Sequence, residues 1–246
     1  MTARVGLIIP SSNRMVEQEM VPAFPEGIQP HVTRLRMTGA DRGPLDQLLP
    51  RIEEATRTLA DAKCEVIAFH CTANSMQEGK GGEERILSAM TEAGTARATT
   101  TATAVGRALQ ALDARRIVLV TPYDQETTDH EVAFLTEAGY EVIHAVACEL
   151  AGSDAYCSTP AGFWKDRVAE AARRDADVYF VSCANISIIG IIEEIEASVG
   201  RPVITSNQAV IWDALGRLGW TSSPGLPGRL FVTPARSEAA PVLQRG

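Results

Sequence analysis

The chain repeats itself once, at a spacing of 112 residues, and the repeat is anchored on two cysteines that each close an apolar strand (Cys71 and Cys183). The first copy reads Val66-Ile67-Ala68-Phe69-His70-Cys71-Thr72-Ala73-Asn74-Ser75. The second reads Val178-Tyr179-Phe180-Val181-Ser182-Cys183-Ala184-Asn185-Ile186-Ser187. The same spacing relates Pro10 to Pro122 and Glu19 to Glu131. A structural unit used twice restricts the fold to two similar lobes. A thiol at the end of the same strand in each lobe places two thiols on facing walls of a pseudo-twofold cleft. From there they can add and remove a proton, or attack a carbon, on opposite sides of one small substrate.

The hydrophobic pattern fills in the lobes. Residues 4–10 form a continuous apolar run, the mark of a parallel strand buried on both faces. Further strands are expected at 31–37, 65–70 and 99–101, with helices at about 15–21, 45–62, 83–93 and 103–112. The pattern restarts at Arg116. Strands are expected at 117–120, 140–146, 178–182 and 202–205, and helices at 126–138, 163–173, 191–198 and 207–218. Residues 150–162 carry Gly, Ser and Pro and read as a loop that could serve as a lid. Strands alternating with helices imply an α/β fold of two pseudosymmetric lobes, each a parallel sheet flanked by helices, with the active site in the cleft between them. The first lobe is expected over 1–98, completed by the helix at 207–218, the second over 99–206. A Pro- and Gly-rich tail follows at 221–246.

Ligands of such sheets bind at the carboxyl ends of the strands. Polar clusters sit there six times: Ser11–Asn13, Cys71–Ser75, Thr99–Thr101, Thr121–Tyr123, Cys183–Ser187 and Thr205–Asn207. A strand-end thiol that opens into a helix feels the positive end of the helix dipole, which favours thiolate. Thr72, Ala73, Ala184 and Asn185, just after the cysteines, offer donors for a substrate carboxylate. A thiolate on one wall and a thiol on the other form an acid–base pair that requires no cofactor. Buried cysteines more often pack than react, and the repeat is what singles out Cys71 and Cys183. Cys64, Cys148 and Cys157 lack symmetric partners and read as structural. His70 precedes Cys71 on an extended strand, so it points to the other face and reads as a core or supporting histidine. Tyr123 can donate a phenol to a substrate oxygen or pack in the core. Asn13 and Asn207 can cap helices or bind a carboxylate, and Ser12 lies beside the first of them.

Composition narrows the partners. At 45% hydrophobic, the 246 residues can bury a full core without disulfides or metal. A net charge of −8 lacks the footprint of a nucleic-acid binder. No run approaches the ~20 apolar residues of a membrane span, and the N-terminus has no signal-peptide pattern. The expectation is a cytoplasmic protein with reduced thiols. The four histidines are scattered, so no metal site is expected.

These motifs resemble the aspartate/glutamate racemase superfamily, and most closely its maleate cis–trans isomerase and arylmalonate decarboxylase branch. The resemblance covers about residues 4–220. Its carriers are Gly6-Leu7-Ile8-Ile9-Pro10-Ser11-Ser12-Asn13, both strand-end cysteines, Val120-Thr121-Pro122-Tyr123, Glu131-Val132-Ala133-Phe134-Leu135 and Thr205-Ser206-Asn207-Gln208-Ala209. It implies a cofactor-independent, homo-oligomeric isomerase or racemase of a small carboxylic acid. It also implies that Cys71 is the nucleophile, that Cys183 is the opposing acid/base, and that Asn13 and Tyr123 hold carboxylate oxygens. The decarboxylases of this branch keep only the second cysteine, so Cys71 tilts the reading toward an isomerase. The isomerases carry a carboxylate-binding Asn in the loop matching Gly152–Cys157, and Asp154-Ala155-Tyr156 offers none here. A one-cysteine decarboxylase of malonate-type acids and a non-catalytic small-acid binding protein are the competing readings.

Overall fold

A computed structural model describes residues 2–37, 43–95, 97–220 and 225–234. The chain opens with β1 (Ala3–Pro10), a π-helical turn (Val16–Met20) and β2 (Ile28–Leu35). Then come α1 (Leu45–Asp61), β3 (Val66–Phe69), α2 (Thr72–Met76), α3 (Gly79–Glu92) and β4 (Ala98–Thr100). Next are α4 (Thr101–Ala111), β5 (Arg116–Thr121), α5 (Gln125–Glu137) and β6 (Glu141–Ala147). The chain continues through α6 (Gly152–Ser158), α7 (Ala161–Glu170), β7 (Val178–Val181), α8 (Ile192–Val199), β8 (Val203–Thr205), α9 (Ser206–Arg217) and α10 (Arg229–Val232).

The strands form two four-stranded sheets, β2-β1-β3-β4 and β6-β5-β7-β8, parallel throughout. In both, the strand that ends at a cysteine lies directly beside the lobe's first strand. The α/β architecture of two similar lobes is therefore as the sequence implies.

Alternation along the strands sorts the core into layers. Val5, Leu7 and Ile9 of β1, with Val66 and Ala68 of β3, join Ile117, Leu119, Val178 and Phe180 in one central core around α4 and α9. The other faces turn outward. Ile8, Ile67 and Phe69 pack with Leu48 and Ile52 of α1 and Ile86 of α3. Val118, Val120, Tyr179 and Val181 pack with Trp164 of α7 and Ile192 of α8. Each large apolar side chain buried in this way contributes about 1.5–3 kcal/mol. Gly6 sets how closely α1 lies on β1, because a Cβ there would come within 2.9 Å of Leu59 Cδ1.

Two local expectations need correcting, and a third lies partly outside the described residues. The segment 150–162 is not a plain loop, since it contains α6. That helix buries none of its residues, so it leaves no periodic apolar signature. The helix expected at 15–21 is a single π-helical turn. The tail expected at 221–246 falls partly outside the described residues. Within 225–234, Leu230 and Phe231 are buried, and Gln208 Nε2 and Trp212 Nε1 donate to Pro227 O (2.8 Å) and Thr233 O (2.9 Å). Among the described residues no helix is long and apolar enough to cross a membrane.

Candidate active site

A narrow cavity, with ≈ 70 Å³ in which the centre of a water molecule can sit, opens at the carboxyl ends of the strands. The first half of the chain lines it with Pro10, Ser12, Asn13, Met37 and Cys71–Asn74, the second half with Tyr123, Ser153, Tyr156 and Cys183–Asn185. Both cysteines singled out in the sequence thus face one space, and Cys183 feels the charge of Cys71.

Cys71 lies two residues past the end of β3 and stands at the N-cap of α2. Its thiol donates to Asn74 Oδ1 at 3.2 Å. The first N–H groups of a helix have no acceptor within it. Those of α2 belong to Thr72, Ala73 and Asn74, all of which line the cavity. Thr72 Oγ1 donates to Ser206 Oγ (2.8 Å), which also accepts the N–H of Cys183 (3.1 Å). One hydroxyl at the start of α9 therefore ties the two cysteine segments together.

Cys183 is built differently. No helix begins directly after it, since residues 184–188 are turn and coil, and its φ is +110°. A non-glycine residue in that region costs about 1–3 kcal/mol, and such strain clusters at functional sites. Its sulfur accepts the N–H of Asn185 at 3.3 Å and the hydroxyl of Tyr123. Burial nevertheless outweighs these donors and pushes the thiol up to about 12. The helix-dipole argument made for both cysteines therefore fails for Cys183, which is held as a thiol. Burial, and then the charge of Cys183, likewise hold the Tyr123 phenol well above its ordinary range.

Asn13 secures the entry to the π-helical turn, whose N-cap position itself is Met15. Its Oδ1 accepts from Met15 N and Val16 N, both at 3.0 Å, while Nδ2 crosses to Ala184 O at 2.9 Å. Arg14 N donates to Asn185 Oδ1 at 2.8 Å. Ser12, Thr72, Ala73, Tyr123, Ala184 and Asn185 line the cavity as expected, but Asn207 does not. It is fully buried behind the site, its Oδ1 2.9 Å from His70 Nε2, and the cap of α9 is Thr205. His70 Nδ1 lies 3.0 Å from Thr101 Oγ1. Burial lowers this imidazole to about 4, so it is neutral and supports the site from beneath. Cys64, Cys148 and Cys157 stay outside the lining.

Residue reasoning did not single out Met37, Ser153 or Tyr156. Ser153 and Tyr156 lie on α6, whose exposure hid it. Ser153 Oγ donates to Ser12 Oγ (3.1 Å), Asn185 Nδ2 to Ser153 O (3.2 Å), and Tyr156 meets the Tyr123 ring edge-on at 5.7 Å. Among the described residues the lining contains no Lys, Arg or His, and the donors it offers an anion are amides and hydroxyls.

Two similar α/β lobes that present paired thiols to one cavity define a narrow class, and the comparisons identify it. The family model described as arylmalonate decarboxylase matches residues 5–231, and the chain belongs to that family. A maleate isomerase of Nocardia farcinica is 30% identical over 93% of this chain and 95% of its own length. An arylmalonate decarboxylase of Bordetella bronchiseptica is 27% identical over 94% and 97%. Among solved structures, the Nocardia farcinica maleate cis–trans isomerase superposes with a TM-score of 0.85 at 29% identity, over 93% of this chain and 98% of that one. It is a cysteine-to-serine mutant with a covalently bound succinylcysteine intermediate. A cysteine-to-alanine mutant of maleate isomerase from Pseudomonas putida S16, solved with maleate, also gives 0.85, at 27% identity over 94% and 98%.

Proposed function

We propose that this protein is a cofactor-independent cis–trans isomerase of a small unsaturated dicarboxylic acid of the maleate class, working through Cys71 and Cys183. The observation that carries this reading is the meeting of both cysteines in one cavity, in a chain whose relatives include maleate isomerases.

The chemistry follows from the unequal walls. The Cys71 thiolate attacks one alkene carbon. A C–S bond forms, and the π pair moves to the neighbouring carbon, where the adjacent carboxylate spreads the charge. Cys183, kept protonated by burial, donates its proton to that carbon. The product is a saturated thioether whose central C–C bond can rotate. The Cys183 thiolate, now a strong base, retrieves a proton. The electron pair rebuilds the double bond in the trans geometry, and the Cys71 C–S bond breaks. Atoms and electrons balance without a further reactant. In this reading the amides of Thr72–Asn74 hold one carboxylate as charge develops, and Ser12, Asn13, Tyr123 and Asn185 serve the remaining oxygens. Asn207 contributes from behind the cavity, by positioning His70 and Glu19.

Two results test this. Maleate incubated with the Cys183→Ser protein should leave a thioether on the Cys71 peptide, seen as the added mass of one maleic acid. Wild-type protein should convert maleate to its trans isomer. Full turnover by Cys71→Ser, or no adduct in Cys183→Ser, overturns the two-thiol mechanism. The match to the decarboxylase model and the Bordetella bronchiseptica relative favours a second reading, decarboxylation of a malonate-type acid through Cys183 alone. Carbon dioxide release from disubstituted malonates, unaffected by Cys71→Ser, would select it.

The same reading takes the lobes as 1–98 and 99–206, with the helix at 207–218 completing the first. Hydrogen bonding of α9 to His70 and Thr99 supports this division. It also takes the protein as a cytoplasmic homo-oligomer. Light scattering that returns the mass of one chain would reject the oligomer.

A further inference from the structure

Glu19 and Glu131 stand 112 residues apart, as the two cysteines do, and the chemistry above uses neither. Both nevertheless act on the Cys183 wall. Glu131, fully buried on α5, accepts from Ser182 Oγ at 2.9 Å, immediately before Cys183. Glu19, on the π-helical turn of the opposite lobe, accepts from Ser187 Oγ (2.7 Å), Ile188 N (2.8 Å) and Ile189 N (3.3 Å), just after it. We propose that these two carboxylates are positioning residues that clamp the Cys183 segment at both ends and so hold its sulfur in the cavity, an inference that rests on Cys183 being the acid/base thiol.

The segment needs such a clamp. Cys183 is strained at φ +110°, and residues 184–188 have no helix of their own to fix them. A strained residue persists only where its surroundings over-determine it. The Cys71 segment is fixed locally, because α2 starts at the next residue. Around Cys183, fixation comes from elsewhere. Carboxylates are well suited to the task, since each offers several lone pairs and Glu19 receives three donors from consecutive residues. A buried carboxylate is costly unless it is so bonded, and a hydrophobic residue at either position would leave the serine hydroxyls and the two N–H groups unpaired. Helix packing alone therefore does not account for this pair.

The test uses the whole chain without substrate. Glu19→Gln, Glu131→Gln and the milder Ser187→Ala and Ser182→Ala are each treated with iodoacetamide, and the rates at Cys183 and Cys71 are read peptide by peptide. The serine variants, which remove a clamp bond without changing charge, should speed Cys183 alkylation by about two- to tenfold through local opening, with Cys71 as an unmoved internal reference. Glu131→Gln also removes a negative charge that raises the Cys183 thiol, so faster alkylation there counts only where Ser182→Ala shows the same. With maleate, kcat should fall in the same order of variants while KM holds within about twofold, because the carboxylate-binding amides of α2 are untouched. An unchanged ratio of the two alkylation rates overturns the clamp, and so does an equal rise at both cysteines, which marks general loosening. Should the glutamate variants fail to fold, the serine variants decide by the same criteria. A shifted ratio in a protein that does not turn over maleate leaves the clamp standing and removes the substrate reading instead.

Discussion

Cys71 and Cys183 end equivalent strands of equivalent sheets, yet the chain finishes the two walls by different means. On the Cys71 wall the backbone turns at once into α2, and the residue before the cysteine is a neutral imidazole bonded to Thr101 and Asn207. On the Cys183 wall no helix follows for five residues, and the preceding residue is Ser182, bonded to a carboxylate. The next six residues depend on Asn13, Arg14 and Glu19 of the opposite lobe. Duplication supplies the symmetry that two-sided chemistry needs. Divergence of the supports leaves one thiol half-buried while the other is buried and protonated. A perfectly symmetric pair would suit inversion at one carbon, where either face must serve as acid or base. Unequal walls suit addition and elimination, where one sulfur bonds carbon and the other handles the proton.

The largest effect should come from removing this division of labour. Cys71→Ser replaces the nucleophile with a far weaker one and should lower kcat by about three orders of magnitude or more. Cys183→Ser should be comparably slow in turnover but should still form the thioether, so rapid-quench mass spectrometry separates the two walls where steady-state rates do not. Equal adduct formation in both variants would erase the distinction between the walls.

Tyr123→Phe tests the electrostatics of the Cys183 wall. The phenol supplies one of two donors to the sulfur. Removing it should raise that thiol further and lower kcat by about ten- to a hundredfold. Alkylation of the Cys183 peptide, followed as a titration over alkaline pH, should lag that of the wild type. An unchanged titration would show that the phenol faces the sulfur without acting on it.

Much of this difference could not be read from the sequence. Strand order and the central core follow from apolar runs and their alternation, because backbone periodicity is a local property. The site's cysteines emerge from the repeat, and with them Thr72, Ala73, Ala184 and Asn185, which are their chain neighbours. What fixes the Cys183 wall is not local. Asn13 meets Ala184 across 171 positions and Glu19 meets Ser187 across 168. Nothing in either segment announces the other. The setting of Asn207 escapes local reading for a related reason. It follows a strand end, as binding residues do, but α9 turns its side chain toward His70 and away from the cavity. Ser153 and Tyr156 were missed because an exposed short helix has no apolar stripe to give it away.

The support beneath Cys71 makes its own prediction. His70 is fully buried and holds a proton only below about 4, whereas an unfolded histidine does so below about 6.5. Its stabilising contribution is therefore complete above about pH 6.5 and is lost as pH falls through about 4. The two pKa values bound that contribution at about 3 kcal/mol. In urea titrations at pH 7 and pH 4, His70→Gln should weaken the protein at pH 7 and flatten the change between the two. A wild type and variant with the same pH dependence would show that the imidazole is not buried neutral.

The smallest effect belongs to the contact that joins the walls. Asn13 both caps the π-helical turn and donates to Ala184 O, so Asn13→Ala removes a cap and a bond between the lobes. A lost cap costs about 0.5–2 kcal/mol, and for a chain of this size each kcal/mol lowers Tm by about 2–4 °C. Asn13→Asp separates the two jobs. The carboxylate still accepts from Met15 N and Val16 N, but it faces Ala184 O with no proton to give. If the cap dominates, Asp should restore the melting temperature that Ala loses. If the link to the Cys183 wall dominates, Asp should melt at least as low as Ala, because a charge set against a carbonyl is worse than no contact. Differential scanning calorimetry of the two variants decides which wall Asn13 chiefly serves.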